Sequence, residues 1–532
     1  MQGTWRTVDH RWTKTPRSGY LQGRMAGRAG RWLADVLERH RVVALVLLSA
    51  VVITTIAIRA RAKPFWHDEI YTILHSRLPS ISAMWAASRD GIDLAPPLNS
   101  LLTRLVQSVA GVGPVATRLP AMIGYWTMTL VVFHMVRRRS NATLALAAAL
   151  LPCYTAAFRY SYEARGYGLM LGLLALALYS WSEAAQDRHR ARHLPLLTLT
   201  LTASLWSHYY AVLGFVPIAV GEIVRLWRDR KPDWAVWGAV SLSFVGALPL
   251  RALASAAAAQ SRTFWARSDM TDLVSVYRFL CEPLRRVALW LIIGAVISVV
   301  LVSVSIFTGG RPAEPRRRLP VHEVAAGLAF LLIPVVGVLG ARLFTGVFVA
   351  RYALSAVIGL SLVLPLAVWW AVPRSGVPEV ILCLVLAGSF GRSAFESARH
   401  ARDPFRDPVK ERPQLVRQLS VPAPVVVTGG LMYLQFWYYT PPELRGHLWY
   451  LADPAAALRH RGSDSFDRGF LTLRRWAPLT VQDYRSFVEG HQQFWVYAAG
   501  SGWLLDELRE TGARIDRVGL ELGASVYYVA VR

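Results

Sequence analysis

The chain has 532 residues, 54% of them hydrophobic and only 17% charged, and a mean hydropathy of +0.33; a charged share this low excludes a soluble globular enzyme. The net charge of +25, from 59 Lys+Arg against 34 Asp+Glu, keeps a nucleic-acid binder in view until the arginines are placed. Cys153, Cys281 and Cys383 are too few and too scattered for a disulfide framework or a zinc site.

Residues 1–39 carry Arg6, Arg11, Lys14, Arg17, Arg24, Arg28, Arg31 and Arg39, and the apolar run Val42 to Ile58 follows. This reads as a basic cytoplasmic tail and a first span. A cleaved signal peptide would have a shorter charged region and a small-x-small cleavage site, which is missing here. Further apolar runs lie at about 117–136, 141–158, 167–185, 194–209, 211–226, 234–253, 287–307, 322–341, 353–372 and 377–391. The expectation is an α-helical polytopic protein of the cell membrane, with about eleven transmembrane helices in a domain over 40–391. With the N-terminus inside, alternate connections contain Arg137-Arg138-Arg139, Arg188/Arg190/Arg192, Arg225/Arg228/Arg230/Lys231, Arg311 with Arg316-Arg317-Arg318, and Arg374. Each satisfies the positive-inside rule, so the charge excess follows from topology and no nucleic-acid partner is expected.

The run Pro97 to Ala110 is only about 14 residues long and contains Asn99, Arg104 and Gln107, so it reads as an amphipathic helix on the outer membrane face. An odd number of spans then puts 392–532 outside. There, strand-like stretches (Pro424 to Thr428, Phe494 to Ala498, Val526 to Val531) alternate with helical ones (Ala455 to Arg461, Trp503 to Thr511), which predicts a small exterior α/β domain. Thr440-Pro-Pro-Glu443 has the spacing of a capping box. Gly429-Gly430 lacks a G-x-G-x-x-G context and reads as a turn.

Unusual polar residues gather on the exterior side. In the loop 59–116, Lys63-Pro-Phe-Trp-His67-Asp68-Glu69-Ile-Tyr71 sets two carboxylates side by side at a membrane surface, which is costly unless they hold a cation or a proton. An ordinary solvated loop is the competing reading. The next outward turn carries Arg159-Tyr-Ser-Tyr-Glu163-Ala-Arg165-Gly-Tyr167. Glu163 and Arg165 are too close in sequence to face each other on a helix, so they serve different partners. Ser207-His208-Tyr209-Tyr210 follows, and for both turns an interfacial aromatic belt competes with function. The loop 254–286 carries Arg262, Trp265, Arg267, Asp269, Asp272 and Glu282, and a loop of that length at a membrane face often covers a cleft. Finally, Arg342 and Arg351-Tyr352 break the positive-inside trend, which points to an anionic partner such as phosphate or, more simply, lipid headgroups.

In chain order, Phe65-Trp-His-Asp68-Glu69, Asp93-Leu-Ala-Pro96-Pro97-Leu98, Thr117-Arg-Leu-Pro120, Tyr160-Ser-Tyr-Glu163-Ala-Arg165-Gly-Tyr167, His208-Tyr-Tyr210 and Arg351-Tyr352 resemble the GT-C superfamily of integral-membrane glycosyltransferases. The similarity is greatest to the branch containing protein O-mannosyltransferases and the lipid A aminoarabinose transferase. It implies a GT-C fold and inverting transfer of mannose or another monosaccharide from a polyprenyl-phosphate donor. The acceptor would be a protein, glycolipid or polysaccharide on the exterior face. By position it implies Asp68 as general base or metal-site carboxylate, with Glu69 and Glu163 as further acidic site residues. Arg165 and Arg351 would face the donor phosphate, with His208 and Tyr352 beside them, and His67 and Asp93 would belong to an acceptor or metal pocket. A divalent cation is the candidate cofactor. Ala95 stands where relatives often have His before the two prolines, which removes that side chain from any metal or phosphate site. The resemblance says little about 392–532. A transporter or flippase of a lipid-linked substrate, and a non-catalytic scaffold, are the alternatives; the first needs ionisable groups at mid-depth in the spans.

Overall fold

The computed structural model describes residues 32–259, 263, 272–285, 287–294, 296–297, 319–371, 377–402, 408–419, 423–500 and 502–531. The basic tail through Arg31, the expected span 287–307 beyond residue 297, Arg262, Trp265, Arg267, Asp269, Arg311, Arg316 to Arg318 and Arg374 lie outside them.

The helix Arg41–Ala62 shows why the protein belongs in lipid. Its 22 residues are apolar on every side, and Val42, Val43, Val46, Leu47, Val51 and Ile53 are exposed while Val52, Thr55, Ile56 and Ala60 pack inward. Such a surface is stable where the solvent is hydrocarbon. Among the described residues five helices are long and apolar enough to cross a membrane: Arg41–Ala62, Pro114–Arg139, Tyr209–Asp229, Trp234–Ala258 and Val377–Ala401. A pair bent by 54°, Val321–Leu331 with Ile333–Thr345, makes a sixth if taken as one span. Eleven is therefore a count of apolar runs in the sequence, and several of these runs form shorter pieces. The run at 141–158 breaks at Pro152 into a helix Ala142–Leu150, a 3-10 turn Leu151–Tyr154 and a short helix Ala156–Tyr160. Leu98–Ala110 is a 13-residue helix that buries Asn99, Ser100 and Thr103 and exposes Leu105 and Val109. It turns its polar face to the protein.

The long helix Pro114–Arg139 packs against Tyr167–Ala184 through small residues. A Cβ at Gly172 would lie 2.3 Å from Gly124 O, and one at Gly168 would lie 2.3 Å from Ala121 O, so the two backbones touch directly. From Arg118 to Arg139 this helix spans about 30 Å and thereby separates two polar ends. At the Arg139 end the basic connections meet acids: Arg137 with Glu38, Arg138 with Glu183, Arg139 with Glu323 and Arg190 with Asp233. At the Arg118 end lie the segment 63–69, the turn 159–166 and the C-terminal domain.

The last apolar helix does not stop at 391. It continues to Arg402, so the expected boundary at 392 falls inside a helix. Beyond it a six-stranded sheet has the order β3-β2-β1-β4-β6-β5, with β1 Val425–Val427, β2 Leu448–Ala452, β3 Val481–Asp483, β4 Gln493–Ala498, β5 Arg514–Glu521 and β6 Ala524–Ala530. β1 to β4 are parallel neighbours, and β6 and β5 close the sheet antiparallel. Gly429-Gly430 is a strand-to-helix junction: a Cβ at Gly429 would lie 2.0 Å from Ala499 O, and the helix Gly430–Tyr439 starts there. Thr440 does not form the predicted capping box, because its hydroxyl donates back to Phe436 O of the preceding helix (2.8 Å).

Gly172→Leu, which forces the two helices apart, is expected to cost several kcal/mol, on the order of an overpacked core substitution or more. Loss of monodisperse protein in detergent, or a lowered unfolding temperature, would register it.

Candidate active site

The segment Lys63 to Glu69 leaves the first apolar helix and is held by one buried ion pair. Arg118 and Glu69 are both fully buried. Arg118 Nε donates to Glu69 Oε1 (2.6 Å) and Nη2 to Oε2 (2.7 Å). The same guanidinium donates to the carbonyls of Ala60, Lys63 (2.9 Å) and Pro64 (3.3 Å). Glu69 accepts two further bonds, from Ala164 N (2.7 Å) and Trp66 N (3.3 Å). With both oxygens doubly occupied and no exposure, Glu69 has no lone pair for a substrate. This corrects the expectation that it is catalytic: its carboxylate holds the fold of the loop.

Asp68, one residue earlier, points the other way and keeps a fifth of its side chain accessible. Its Oδ1 lies 3.1 Å from His67 Nδ1 and its Oδ2 lies 3.7 Å from Arg351 Nη2. Burial alone would raise its pKa, but the His67 hydrogen bond and the charges of Arg165, His67 and Arg351 outweigh burial and hold the carboxyl well below the usual carboxylate range. Arg165 supports it from behind by donating to Asp68 O (3.2 Å), and spends its fork on Asp93 at 2.9 and 3.2 Å. Burial disfavours the Arg165 cation, yet Asp93 and Asp68 overcompensate, so its pKa is raised.

Glu163 is also buried. It accepts from Lys63 Nζ (2.6 Å) and pairs with Arg159 (3.3 Å), while Arg165 serves Asp93. The turn at 163–165 thus sends its two charges to different partners. Of the carboxylates beside Asp68, Glu69 has Arg118 and Asp93 has Arg165, while Glu163 takes Lys63 and Arg159 on Oε1 and keeps Oε2 without a partner among the described residues. Asp93 is thus occupied by Arg165 in this arrangement. His67, the other pocket candidate, lies against Tyr71 (4.9 Å), Phe466 (5.5 Å) and Phe470 (6.0 Å). Among the described residues, the group compact enough for metal ligation is His460, Glu507 and Glu510 in the C-terminal domain, where Arg459 pairs with Glu507.

His208 packs against Tyr167 (4.8 Å) and Tyr352 (5.3 Å), and its Nδ1 accepts from Tyr210 N (3.2 Å). Burial and then the charges of Arg165 and Arg351 push its pKa down to about 3. It is neutral, which removes it as a cation for the donor phosphate. Tyr352 stacks on Tyr210 at 4.3 Å and completes the aromatic wall. Arg351 therefore has the freer charge: among the described residues its Nε is buried with no hydrogen-bond partner, as are Trp66 Nε1, His67 Nε2 and Glu163 Oε2. Unsatisfied buried polar atoms are costly in a finished core; others lie elsewhere in the chain, such as Arg225 Nε and both ring nitrogens of His322.

A cavity of about 820 Å³ opens beside this cluster. Arg59, Arg159, Arg285 and Arg392 line it together with Phe158, Tyr162 and Trp290. Asp68, Glu163 and Arg351 do not; the link is Arg159, which lines the cavity and pairs with Glu163. Arg59 is half-buried over the Phe158 ring (5.0 Å) and donates to the hydroxyls of Ser397 (3.0 Å) and Ser393 (2.8 Å).

Arg118, Lys63 and Arg59 escaped the sequence reading as site residues. For Arg118 a signal was present: like Arg351, it is an arginine at the outward end of an apolar run.

Residues 95–250 match the family model described as dolichyl-phosphate-mannose-protein mannosyltransferase, which bears out the GT-C resemblance. The match begins after Asp68 and ends before Arg351. No curated protein matches the sequence. Two solved structures of ArnT from Cupriavidus metallidurans are similar. The apo form has 12% identity and a TM-score of 0.46, with 92% of this chain and 98% of that one covered. The form bound to undecaprenyl phosphate has 14% identity and a TM-score of 0.46, with 91% and 97% covered. The Archaeoglobus fulgidus oligosaccharyltransferase in its apo form has 12% identity and a TM-score of 0.39, with 86% and 69% covered.

Two measurements separate the neighbouring carboxylates. Glu69→Gln strands the buried Arg118 charge and is expected to destabilise the protein by about 3–5 kcal/mol in detergent unfolding, whereas Asp68→Asn, at a partly accessible side chain, removes a carboxylate that the folded state favours and should cost stability too, but less. Because its pKa is depressed, Asp68 stays ionised down to below the ordinary value of about 3.9. Arg351→Gln removes one lowering charge, so any acid limb in activity that belongs to Asp68 must move to higher pH in that variant.

Proposed function

We propose that this GT-C-like membrane protein transfers a sugar from a polyprenyl-phosphate donor to a hydroxyl acceptor on the exterior face, with inversion. The observation that carries the proposal is Asp68: an ionised, partly accessible carboxylate between His67 and Arg351, each of which keeps a buried nitrogen without a partner among the described residues. The family model matching 95–250 supports a lipid-phosphate sugar donor and makes mannose a suitable sugar.

In the proposed reaction the acceptor oxygen attacks the anomeric carbon from the face opposite the phosphate. The carbon–oxygen bond to the phosphate breaks, the hydroxyl proton passes to Asp68, and the lipid phosphate leaves onto Arg351. A carboxylate with a depressed pKa is a weak base. A donor phosphodiester at Arg351 corrects this, because it takes over the guanidinium and sets a like charge beside Asp68, both of which raise the pKa of the carboxyl. Donor binding thereby switches on the base. Arg165 keeps its fork on Asp93 and holds the Asp68 backbone. The cavity lined by arginines and aromatic rings, which neither Asp68 nor Arg351 lines, adjoins the site through Arg159, the partner of Glu163, and has the chemistry for an amphiphile. With basic connections cytoplasmic, the Asp68 end and the C-terminal domain face the exterior.

Among the described residues transport has no comparable support. Glu183 and Glu222, buried in the helices, lie towards the basic end and pair with Arg138 and Arg225.

With radiolabelled polyprenyl-phosphate sugars and membranes holding the protein, Asp68→Asn is expected to lower transfer by about 10²–10⁴-fold at unchanged protein level. Near-normal turnover would exclude Asp68 as the base. The same donors should also show the acid limb of kcat, which reports the donor complex, at higher pH than that of kcat/KM.

A further inference from the structure

The segment that carries Asp68 is gripped from two sides. On the membrane-domain side, Arg118 takes the carbonyls of Lys63 and Pro64, and Glu69 takes the amide of Trp66. Between these lies Phe65, and both of its backbone polar groups go to side chains more than 350 residues away. Its N–H donates to Tyr439 Oη (2.7 Å), and its carbonyl accepts from Gln435 Nε2 (2.9 Å). The Phe65 ring is buried between the Arg118 guanidinium (4.6 Å) and Tyr438 (5.9 Å, edge-on).

Gln435 and Tyr439 lie one turn apart on the helix Gly430–Tyr439, so they present one face to the strand-like segment. The opposite face is rigid: Tyr433, Leu434, Phe436 and Trp437 are buried in the C-terminal domain. Gln435 is itself oriented, since its Oε1 accepts from Arg412 Nη1 (3.1 Å). A second helix of the domain, Ser465–Leu473, closes over the same residues. Phe466 and Phe470 meet the His67 ring, and a Cβ at Gly469 would lie 3.3 Å from Tyr71 Oη. Asp68 is in the first turn of His67–Ser76, directly after this gripped stretch.

We infer that Gln435 and Tyr439 are positioning residues for Asp68, so that the C-terminal domain is part of the active-site scaffold. The inference rests on Asp68 being the base. The two bonds fix the height at which the chain enters the Asp68 helix. Without them Phe65 would leave a buried donor and a buried acceptor unsatisfied, and the segment would shift until water reached them. A shift of that kind moves Asp68 relative to His67 and Arg351, whose contacts depend on distances of 3.1 and 3.7 Å.

The test uses the full-length protein in lipid nanodiscs, with Tyr439→Phe and Gln435→Leu as variants. Trp476→Phe is the control, because it removes a bond between the same two domains, Trp476 Nε1 to Asp90 Oδ2 (3.1 Å), without touching Phe65. Amide exchange of the peptide covering 63–69 should rise in both variants and stay at the wild-type level in the control. kcat should fall about tenfold with the donor KM little changed, and the acid limb should move to higher pH as the carboxyl loses its fixed partners; the control should keep both. Unchanged exchange in both variants overturns the inference whatever the activity does. Raised exchange with unaltered kcat and pH profile overturns it too, since the grip would then be structural only. Failure of the glycosyltransfer reading would show separately, as full turnover by Asp68→Asn.

Discussion

The pairing of Arg118 with Glu69 is the constraint on which the candidate site depends. Both groups are fully withdrawn from water, and charges so placed are tolerated only when every lone pair and proton is used. Here they are: the guanidinium takes the Glu69 carboxylate and three carbonyls at the end of the first apolar helix, and the carboxylate takes two more amides. One ion pair therefore ties the first helix, the start of Pro114–Arg139 and the turn before Tyr167 into a single junction. Asp68 is the neighbour of that junction and inherits its rigidity.

Charge is arranged differently at the two ends of the bundle. At the Arg139 end the arginines are matched by Glu38, Glu183, Glu323 and Asp233, which fixes helix ends in place. At the Asp68 end Arg351 approaches one carboxylate at 3.7 Å and keeps a buried nitrogen without a partner among the described residues, and Arg59 meets hydroxyls. Positive charge that is incompletely met, beside aromatic walls, suits an anionic group that arrives with a lipid. The ordering of carboxylates follows the same logic. Glu69 and Asp93 are spent on cations of the protein, Glu163 on one oxygen only, and Asp68 is held ionised yet accessible.

The C-terminal domain shows where local pattern stops being informative. β1, β4 and β6 have runs of apolar or aromatic residues and were legible. β2, Leu448-Trp-Tyr-Leu-Ala452, carries the same kind of run directly after a 3-10 turn and was missed, whereas β3 is three residues long and β5 is mostly exposed with Arg, Asp and Glu along it. β3 and β5 exist because neighbours pair with them, so nothing within these two announces the state. Likewise the helix Val377–Arg402 continues past its apolar stretch because polar residues extend a helix as readily as they end one in the absence of a breaker.

By itself the sequence determined the solvent of this protein and where its basic connections lie, because apolar length and arginine placement answer to the bilayer rather than to particular neighbours. It also brought Asp68, Arg165 and Arg351 to notice by residue type. Only the tertiary structure tells the surroundings of Asp68 from those of Glu69, which are adjacent and chemically near-identical. A residue's role depends on which lone pairs remain after its neighbours are served, and those neighbours are Arg118, 49 positions from Glu69, and Gln435 and Tyr439, at the far end of the chain. Contacts across such distances are set by packing and leave no periodic trace in the sequence.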